Sequence, residues 1–226
     1  MFEKTLFTDE TTLSSRRAEV YDWLTSNASE YFSSIESISD DESDENISGA
    51  IVCTLSQGGK IILGYKPYAA TYALKILSKS GSVLCQSESR SGNIIDKHNY
   101  GIKTENGIYV HGRADYSTNG SFMMSKATDG TIVISAARHN LGSDTAFYLV
   151  IPEKNIVYKI KSSNEDCFFK EAERMSFASI PVGANDSVEN MFIVPFTPNI
   201  NTICKAVDSD GQHYFYDGLC ALKYEE

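Results

Sequence analysis

A series of short, strand-like segments constrains the fold of this chain more than any other feature. From Gly49 onward, apolar or alternating runs such as "AIVCTL", "TIVISAA" and "AFYLVIP" recur, and they are rich in Val, Ile, Tyr, Phe and Thr. These residue types suit a pleated, half-buried surface. Turn signals separate the runs about every 8–12 residues, which is typical of an all-β sandwich or barrel. The pattern therefore predicts a mainly β fold, an antiparallel β-sandwich or barrel built of hairpins.

The turns between these runs share a common chemistry. The segments "LSKSGSVL", "SKATDGTIVI" and "AVDSDGQHYFY" each join two runs through a polar loop that ends in Gly81, Gly130 or Gly211. Glycine can take the left-handed conformation that a Cβ makes costly, so we expect hairpins with a type I turn and a bulge. The third segment contains Asp-Ser-Asp-Gly, but its glycine comes too early for a calcium loop, and Leu219 stands where such loops have glutamate. The segment "QGGK" at 57–60 is likewise interpreted as a hairpin turn.

The first 46 residues differ from the rest in pattern. Thr12 or Ser14 can cap the start of a helix. Apolar residues then recur at spacings of three and four, which predicts an amphipathic helix; they are Tyr21, Leu24, Ala28, Tyr31, Ile35 and Ile38. The acid-rich stretch Ser39–Asn46 is expected to be a solvated linker. We therefore predict an N-terminal helical arm and acidic linker over residues 1–46 and a β-rich domain over residues 47–226. The helix either packs on its own domain or forms an oligomer seam, and the pattern leaves both open.

Charge and hydropathy exclude two classes of partner. The chain has 226 residues and a net charge of -10; residues 1–50 hold 12 acidic against 3 basic side chains, and residues 51–226 hold 18 against 17. Neither part has the clustered Lys and Arg that a phosphate backbone requires, so no nucleic-acid partner is expected. The start "MFEKTLFTDETT" lacks the basic and apolar segments of a secretory signal. No apolar run approaches the roughly 20 residues of a membrane span.

Residues that often carry chemistry form no recognisable motif. The four histidines give no zinc pattern, and the chain has no nucleophile elbow, P-loop or dinucleotide fingerprint. His111, in "YVHGRAD", lies near an arginine and an aspartate, which suits acid–base chemistry but is also typical of a polar strand end, the interpretation we prefer. Five widely separated cysteines, among them Cys53 and Cys85 in apolar runs, indicate buried reduced thiols. We expect neither enzymatic activity nor a metal or other cofactor.

Aromatic residues are the most promising class for binding. The chain has 13 Tyr and 11 Phe but a single Trp. In "HYFYDG", Tyr214 and Tyr216 would share one face of a strand and Phe215 would take the other. Tyrosine is favoured at protein interfaces and its ring stacks on sugars, so Tyr214 and Tyr216 are the candidate binding residues. The competing interpretation places these rings at the rim of the core with their hydroxyls in water.

The combined layout resembles the small β-rich virion proteins of tailed phages and prophages of gut Gram-positive bacteria. The resemblance lies in the unprocessed N-terminus, the Ser-rich acidic arm "SSRRAEVYDWLTSNASEYFSSIES", the hairpins and the odd number of cysteines. No motif of a named family is present, so no functional residue carries over. The resemblance implies a tail, baseplate, neck or capsid-associated component present in many copies, which works by edge pairing and interface burial.

These observations predict a non-enzymatic structural subunit of a larger particle, such as a phage virion or tail component, that acts through protein–protein interfaces. Its expected partners are other subunits, including copies of itself in a homo-oligomer, and its expected location is the virion or the cytoplasm of the producing cell. The alternative is a carbohydrate- or ligand-binding β module that recognises a host or cell surface, with a surface glycan as its partner.

Overall fold

The computed structural model is mainly β, with antiparallel sheets in a sandwich-like arrangement and an N-terminal helix, as the sequence predicts. The residues it describes are 2–7, 12–44, 47–65, 73–87, 100–111, 121–138, 146–162, 178–181, 187–193, 204–207, 210–216 and 220–225. The segment "NEDCFFKEAERM" at 164–175, in which the spacing of Phe168, Ala172 and Met175 predicts a short helix or a long loop with one turn, lies outside these residues.

Apart from one α-helix and one short 3₁₀ turn, the described elements are all strands. The helix α1 spans Leu13–Asn27 and is followed by a short 3₁₀ turn at Ser29–Tyr31. In chain order the strands are β1 Phe2–Leu6, β2 Phe32–Ser37, β3 Ala50–Leu55, β4 Lys60–Gly64, β5 Leu74–Leu77, β6 Val83–Ser87, β7 Tyr100–Thr104, β8 Gly107–His111, β9 Ser121–Lys126, β10 Ile132–Arg138, β11 Ala146–Ile151, β12 Ile156–Ser162, β13 Ala178–Pro181, β14 Ser187–Ile193, β15 Cys204–Val207, β16 His213–Tyr216 and β17 Cys220–Tyr224.

These strands form three antiparallel sheets within the described part of the chain. The central sheet has the order β1-β7-β8-β9-β10-β11-β12. The second sheet has the order β2-β3-β4-β5-β6, and the third has the order β13-β14-β17-β16-β15. Most neighbouring strands are also consecutive in the chain, which is the hairpin-built arrangement that the turn chemistry predicts.

The middle strands of the central sheet, β8 to β10, are buried on both faces, and their side chains alternate between two cores. Ile108 and Val110 point into a first core that also contains α1 and the inner face of the second sheet. Tyr109, between them, points into a second core shared with the third sheet. The same alternation separates Met124 from Met123 in β9. Because successive side chains of a strand face opposite sides, a sheet covered on both sides needs continuous apolar runs.

The predicted hairpin turns are confirmed by their backbone conformation. Gly81, Gly130 and Gly211 have φ of 86°, 85° and 80°, and they connect β5 to β6, β9 to β10 and β15 to β16. Gly58 and Gly59 of "QGGK", with φ of 93° and 96°, turn β3 into β4. All five lie in the left-handed region that favours glycine.

Two side-chain amides in turns form hydrogen bonds to residues of a neighbouring sheet. The Gln57 amide nitrogen donates to the carbonyl oxygen of Gly130, and its Oε1 accepts from the Ile132 backbone N–H at 3.0 Å. This links the β3–β4 turn to the β9–β10 turn. Asn106, in the β7–β8 turn, donates through Nδ2 to the Lys223 carbonyl at 2.8 Å and so links the central and third sheets.

The predicted helix begins where expected and ends early. Thr12 is its N-cap, and the hydroxyl of Thr12 accepts a hydrogen bond from the Ser15 backbone N–H at 3.1 Å. The helix stops at Asn27, however, and the assignment of Tyr31, Ile35 and Ile38 to its apolar face is wrong. Residues 32–37 form β2 instead, with Ile35 opposite Cys53 of β3. Serines at three of these six positions weaken helix propensity, and pairing with β3 supplies the backbone hydrogen bonds.

The N-terminal segment shares both hydrogen bonds and core with the strands that follow it. Strand β1 pairs with β7, and β2 pairs with β3. The helix buries one face in the first core; the buried residues are Leu13, Arg16, Val20, Trp23 and Leu24. Asp40, in the acidic stretch, accepts hydrogen bonds from Ser14 and Arg17 of the helix. Residues 45 and 46 of that stretch lie outside the described residues.

Candidate interaction surface

Exposed apolar side chains mark the ends of the sheets. Among the residues that the structure describes, the exposed large apolar side chains are Leu6, Val83, Val157 and Val207, with 65%, 56%, 41% and 54% of their surfaces accessible. They lie on β1, β6, β12 and β15, and each of these is the end strand of its sheet. A single exposed apolar residue is ordinary. Their restriction to end strands is informative, because an end strand also presents unpaired backbone groups to a neighbouring chain.

Strand β1 is anchored at one end and open at the other. The ring of Phe2 packs in the second core, with its centroid 5.9 Å from Phe215 and 5.0 Å from Tyr224. The four residues after Phe2 are all exposed. Because exposed neighbours in a strand point to opposite faces, the open end of β1 is covered on neither face.

An aromatic and polar cluster lies beside β1, on β7 and β8 of the central sheet. The Lys4 ammonium nitrogen stands 4.8 Å from the centroid of the Tyr100 ring, which is cation–π geometry. Tyr100 stacks on His111 with centroids 5.4 Å apart and planes inclined by 10°. The Tyr100 ring also lies 5.7 Å from that of Tyr109. The cluster therefore connects the open strand to the second core.

The histidine that the sequence singled out is a buried strand-end residue. His111 is 5% exposed and lies directly opposite Ser121, which is 4% exposed, in the β8–β9 register. The Ser121 hydroxyl oxygen is 2.7 Å from His111 Nδ1, and the Tyr109 hydroxyl oxygen is 3.4 Å from the same nitrogen. The shorter distance suits a nucleophile and its base. Cross-strand pairing at the end of a hairpin is sufficient to produce it.

The two candidate binding tyrosines lie on β16. Tyr214 is only 7% exposed, and the side chain of Tyr216 lies outside the described residues. Phe215, which the sequence places on the other face, is fully buried in the second core with its ring 5.3 Å from that of Tyr109. The role of Tyr214 and Tyr216 in binding stays a prediction.

The prediction of buried reduced thiols is confirmed at two positions. Cys53 and Cys85 are reduced and buried in the first core. Burial raises the pKa of the Cys53 thiol well above its ordinary value, which suppresses the reactive thiolate. Cys167 lies outside the described residues, as do the side chains of Cys204 and Cys220.

Among the described residues there is neither a metal-binding cluster nor a membrane-spanning helix. No three His, Cys, Asp or Glu side chains in these ranges are placed to hold a metal ion. No helix in the same ranges combines the length and the apolar character needed to cross a membrane.

The edge residues were not visible as such in the sequence. Val83 and Val157 sit in "SVLCQ" and "NIVYKI", runs that look like any other core strand. Leu6 lies in a polar stretch that gave no strand signal. Their position at a sheet edge depends on strand order, which is a property of long-range pairing.

No family model matches this chain, and no curated protein or solved structure matches it either.

Proposed function

We propose that this chain is a non-enzymatic structural subunit of a larger particle, such as a phage virion or tail component, that assembles through the edges of its sheets. The observation that carries the proposal is the position of the four exposed large apolar side chains among the described residues, Leu6, Val83, Val157 and Val207, all on end strands.

Such edges leave apolar surface in contact with water in an isolated protein. An apolar side chain exposed on an end strand can be covered when that strand pairs with another chain. Each apolar residue left in water forgoes about 25 cal/mol for every Å² that a neighbour would cover. Edge-to-edge association would bury these side chains and complete the backbone hydrogen bonds at once.

The carbohydrate-binding alternative has weaker support. It depends on tyrosine rings that are open to a ligand, and Tyr214 is only 7% exposed. The half-buried ring of Tyr100 is already in contact with the Lys4 ammonium group and with His111.

Size-exclusion chromatography with light scattering tests the proposal. The wild-type chain is compared with Leu6→Lys, Val83→Lys, Val157→Lys and Val207→Lys. We expect a defined oligomer or filament for the wild type and a shift to monomer for at least one variant. Circular dichroism should show that the monomeric variant remains folded, because the replaced side chains are exposed.

A matched substitution separates the loss of an apolar contact from the gain of charge. Thr5→Lys adds the same charge to β1 at a position that is already polar and exposed, and it should leave assembly unchanged. The proposal is refuted if the wild type is monomeric at every concentration tested, or if all four edge variants assemble as the wild type does.

A further inference from the structure

Strand β1 has one open side with an ordered set of exposed charges. On its paired side, Glu3 lies opposite Lys103, Lys4 opposite Ile102 and Leu6 opposite Tyr100 of β7. Among the described residues, no strand pairs with the other side of β1. The residues from Glu3 to Leu6 are exposed, and Leu6 is the most exposed large apolar residue described. An incoming strand would therefore meet a negative, a positive and an apolar side chain in a fixed order.

Two of the symmetric registers in which β1 could pair with a second copy of itself place like charges opposite each other. Two copies related by a two-fold axis perpendicular to the sheet pair antiparallel, and each residue then faces one on the same side of the sheet. An axis at Lys4 places the two Lys4 side chains opposite each other. An axis at Glu3 places the two Glu3 carboxylates opposite each other. Like charges directly opposite each other destabilise a strand pair. An axis at Thr5 places the ammonium group of Lys4 opposite Leu6.

A strand of different sequence can satisfy every position. We propose that the open side of β1 binds an extended, antiparallel strand of another protein subunit that carries an acidic residue opposite Lys4 and a basic residue opposite Glu3. Apolar residues of that strand would lie opposite Phe2 and Leu6. The Glu3 carboxylate, which already faces Lys103 across the β1–β7 pair, would then lie between two cationic groups. This inference rests on the proposed assembly role and names the chemistry of one partner.

Two peptides of identical composition test the inference. The peptide TVTEKVT places glutamate opposite Lys4 and lysine opposite Glu3, and TVTKEVT reverses the two charges. Each peptide is labelled with a fluorophore and titrated with the full-length chain, and binding is followed by fluorescence anisotropy. We expect TVTEKVT to bind roughly threefold tighter or more, because two favourable cross-strand charge pairs replace two unfavourable ones.

A charge-swapped variant assigns the preference to β1. In the variant Glu3→Lys with Lys4→Glu, the change Lys103→Glu is added so that position 3 keeps an opposite charge on β7. This variant should prefer TVTKEVT by a similar factor. Leu6→Lys should weaken the binding of both peptides, whereas Val207→Lys, on the end strand of the third sheet, should leave both affinities unchanged.

The results separate this inference from the proposed function. Equal affinity for the two peptides, no binding of either, or an unchanged preference in the swapped variant would overturn the β1 proposal. In that case, edge variants at Val83, Val157 or Val207 that still alter assembly would leave the assembly role standing. If the peptide preference inverts but the chain shows no assembly that responds to its edges, β1 recognition holds and the wider role fails.

Discussion

Replacing Gly101 with alanine is a direct test of how helix α1 packs on the central sheet. Trp23 lies against Gly101 of β7, so that a Cβ at this position would stand 2.3 Å from Trp23 Cε2 and 2.6 Å from Cδ2 and Cζ2. These atoms belong to the fused rings of the indole and cannot move independently. Because carbon atoms in contact are about 3.5–4.0 Å apart, the indole would have to withdraw by more than ~1 Å. Trp23 is also in edge-to-face contact with Phe7, with centroids 6.4 Å apart.

The expected cost follows from overpacking. Adding a methyl group to a filled core site costs about 1–3 kcal/mol. Replacing glycine with alanine also restricts the unfolded chain, which offsets about 0.4–1 kcal/mol. We therefore expect Gly101→Ala to lower the free energy of unfolding by ~1–2 kcal/mol if the indole shifts within its site. Expulsion of the indole would raise the loss towards the ~3–5 kcal/mol typical of removing a buried tryptophan.

A double-mutant cycle isolates the contact between Gly101 and Trp23. Urea unfolding, followed by circular dichroism, is measured for the wild type, Gly101→Ala, Trp23→Leu and the double variant. Leucine leaves room for the new methyl group, so the alanine substitution should cost at least ~1 kcal/mol less in the Trp23→Leu background. The fluorescence of Trp23, which is the sole tryptophan of the chain, should shift to longer wavelength in Gly101→Ala. Costs that add within ~0.5 kcal/mol would refute the described packing.

Three further predictions concern the two cores and their turns. Gln57→Leu should lower the free energy of unfolding by ~1–3 kcal/mol, because a backbone N–H of the β9–β10 hairpin loses its partner; Gln57→Glu, which keeps that acceptor, should cost less in the same urea titration. Cys53 and Cys85 should resist a thiol reagent in the native protein and react as it unfolds, as mapped by mass spectrometry; rapid native labelling at either site would contradict their burial. The backbone N–H of Thr131 holds the pKa of Asp129 below its ordinary 3.8. This contribution to stability is present above the unfolded pKa and is lost as pH falls through the folded one, so the stability difference between wild type and Asp129→Asn should shrink in acid. A difference that stays constant down to pH values below 3.8 would show that the carboxylate contributes nothing.

The hairpins were predictable because their signals are local. Gly81, Gly130 and Gly211 each follow a short polar loop between two apolar runs, and the left-handed conformation they adopt is determined by a few neighbouring residues. The apolar runs of the central sheet, such as "TIVISAA", are continuous because both of their faces are buried. Here the turn chemistry and the apolar pattern agree, and both concern residues close in the chain.

The end strands and the interaction surface were not predictable, because they depend on distant pairing. Strand β1 is too short and too polar to be distinguished from a loop, and it becomes a strand by pairing with β7, about a hundred residues later. The helical spacing of apolar residues continues through Ile35, but residues 32–37 form strand β2 because they hydrogen-bond to β3. Leu6 and Val157 became candidate contact residues only once the strand order placed them at opposite ends of the same sheet.

The layering of the fold leaves the edges as the places where the central sheet can meet another protein. One face of this sheet is covered by α1 and the second sheet, and the other face by the third sheet. Among the described residues, no further strand of this sheet pairs with the outer side of β1 or β12. These two strands carry the exposed side chains of Leu6 and Val157. Because each of these end strands also carries an exposed apolar side chain, strand pairing with another protein there would cover apolar surface and extend the sheet together. A contact on any other described surface of the central sheet would first have to displace a layer of its own core.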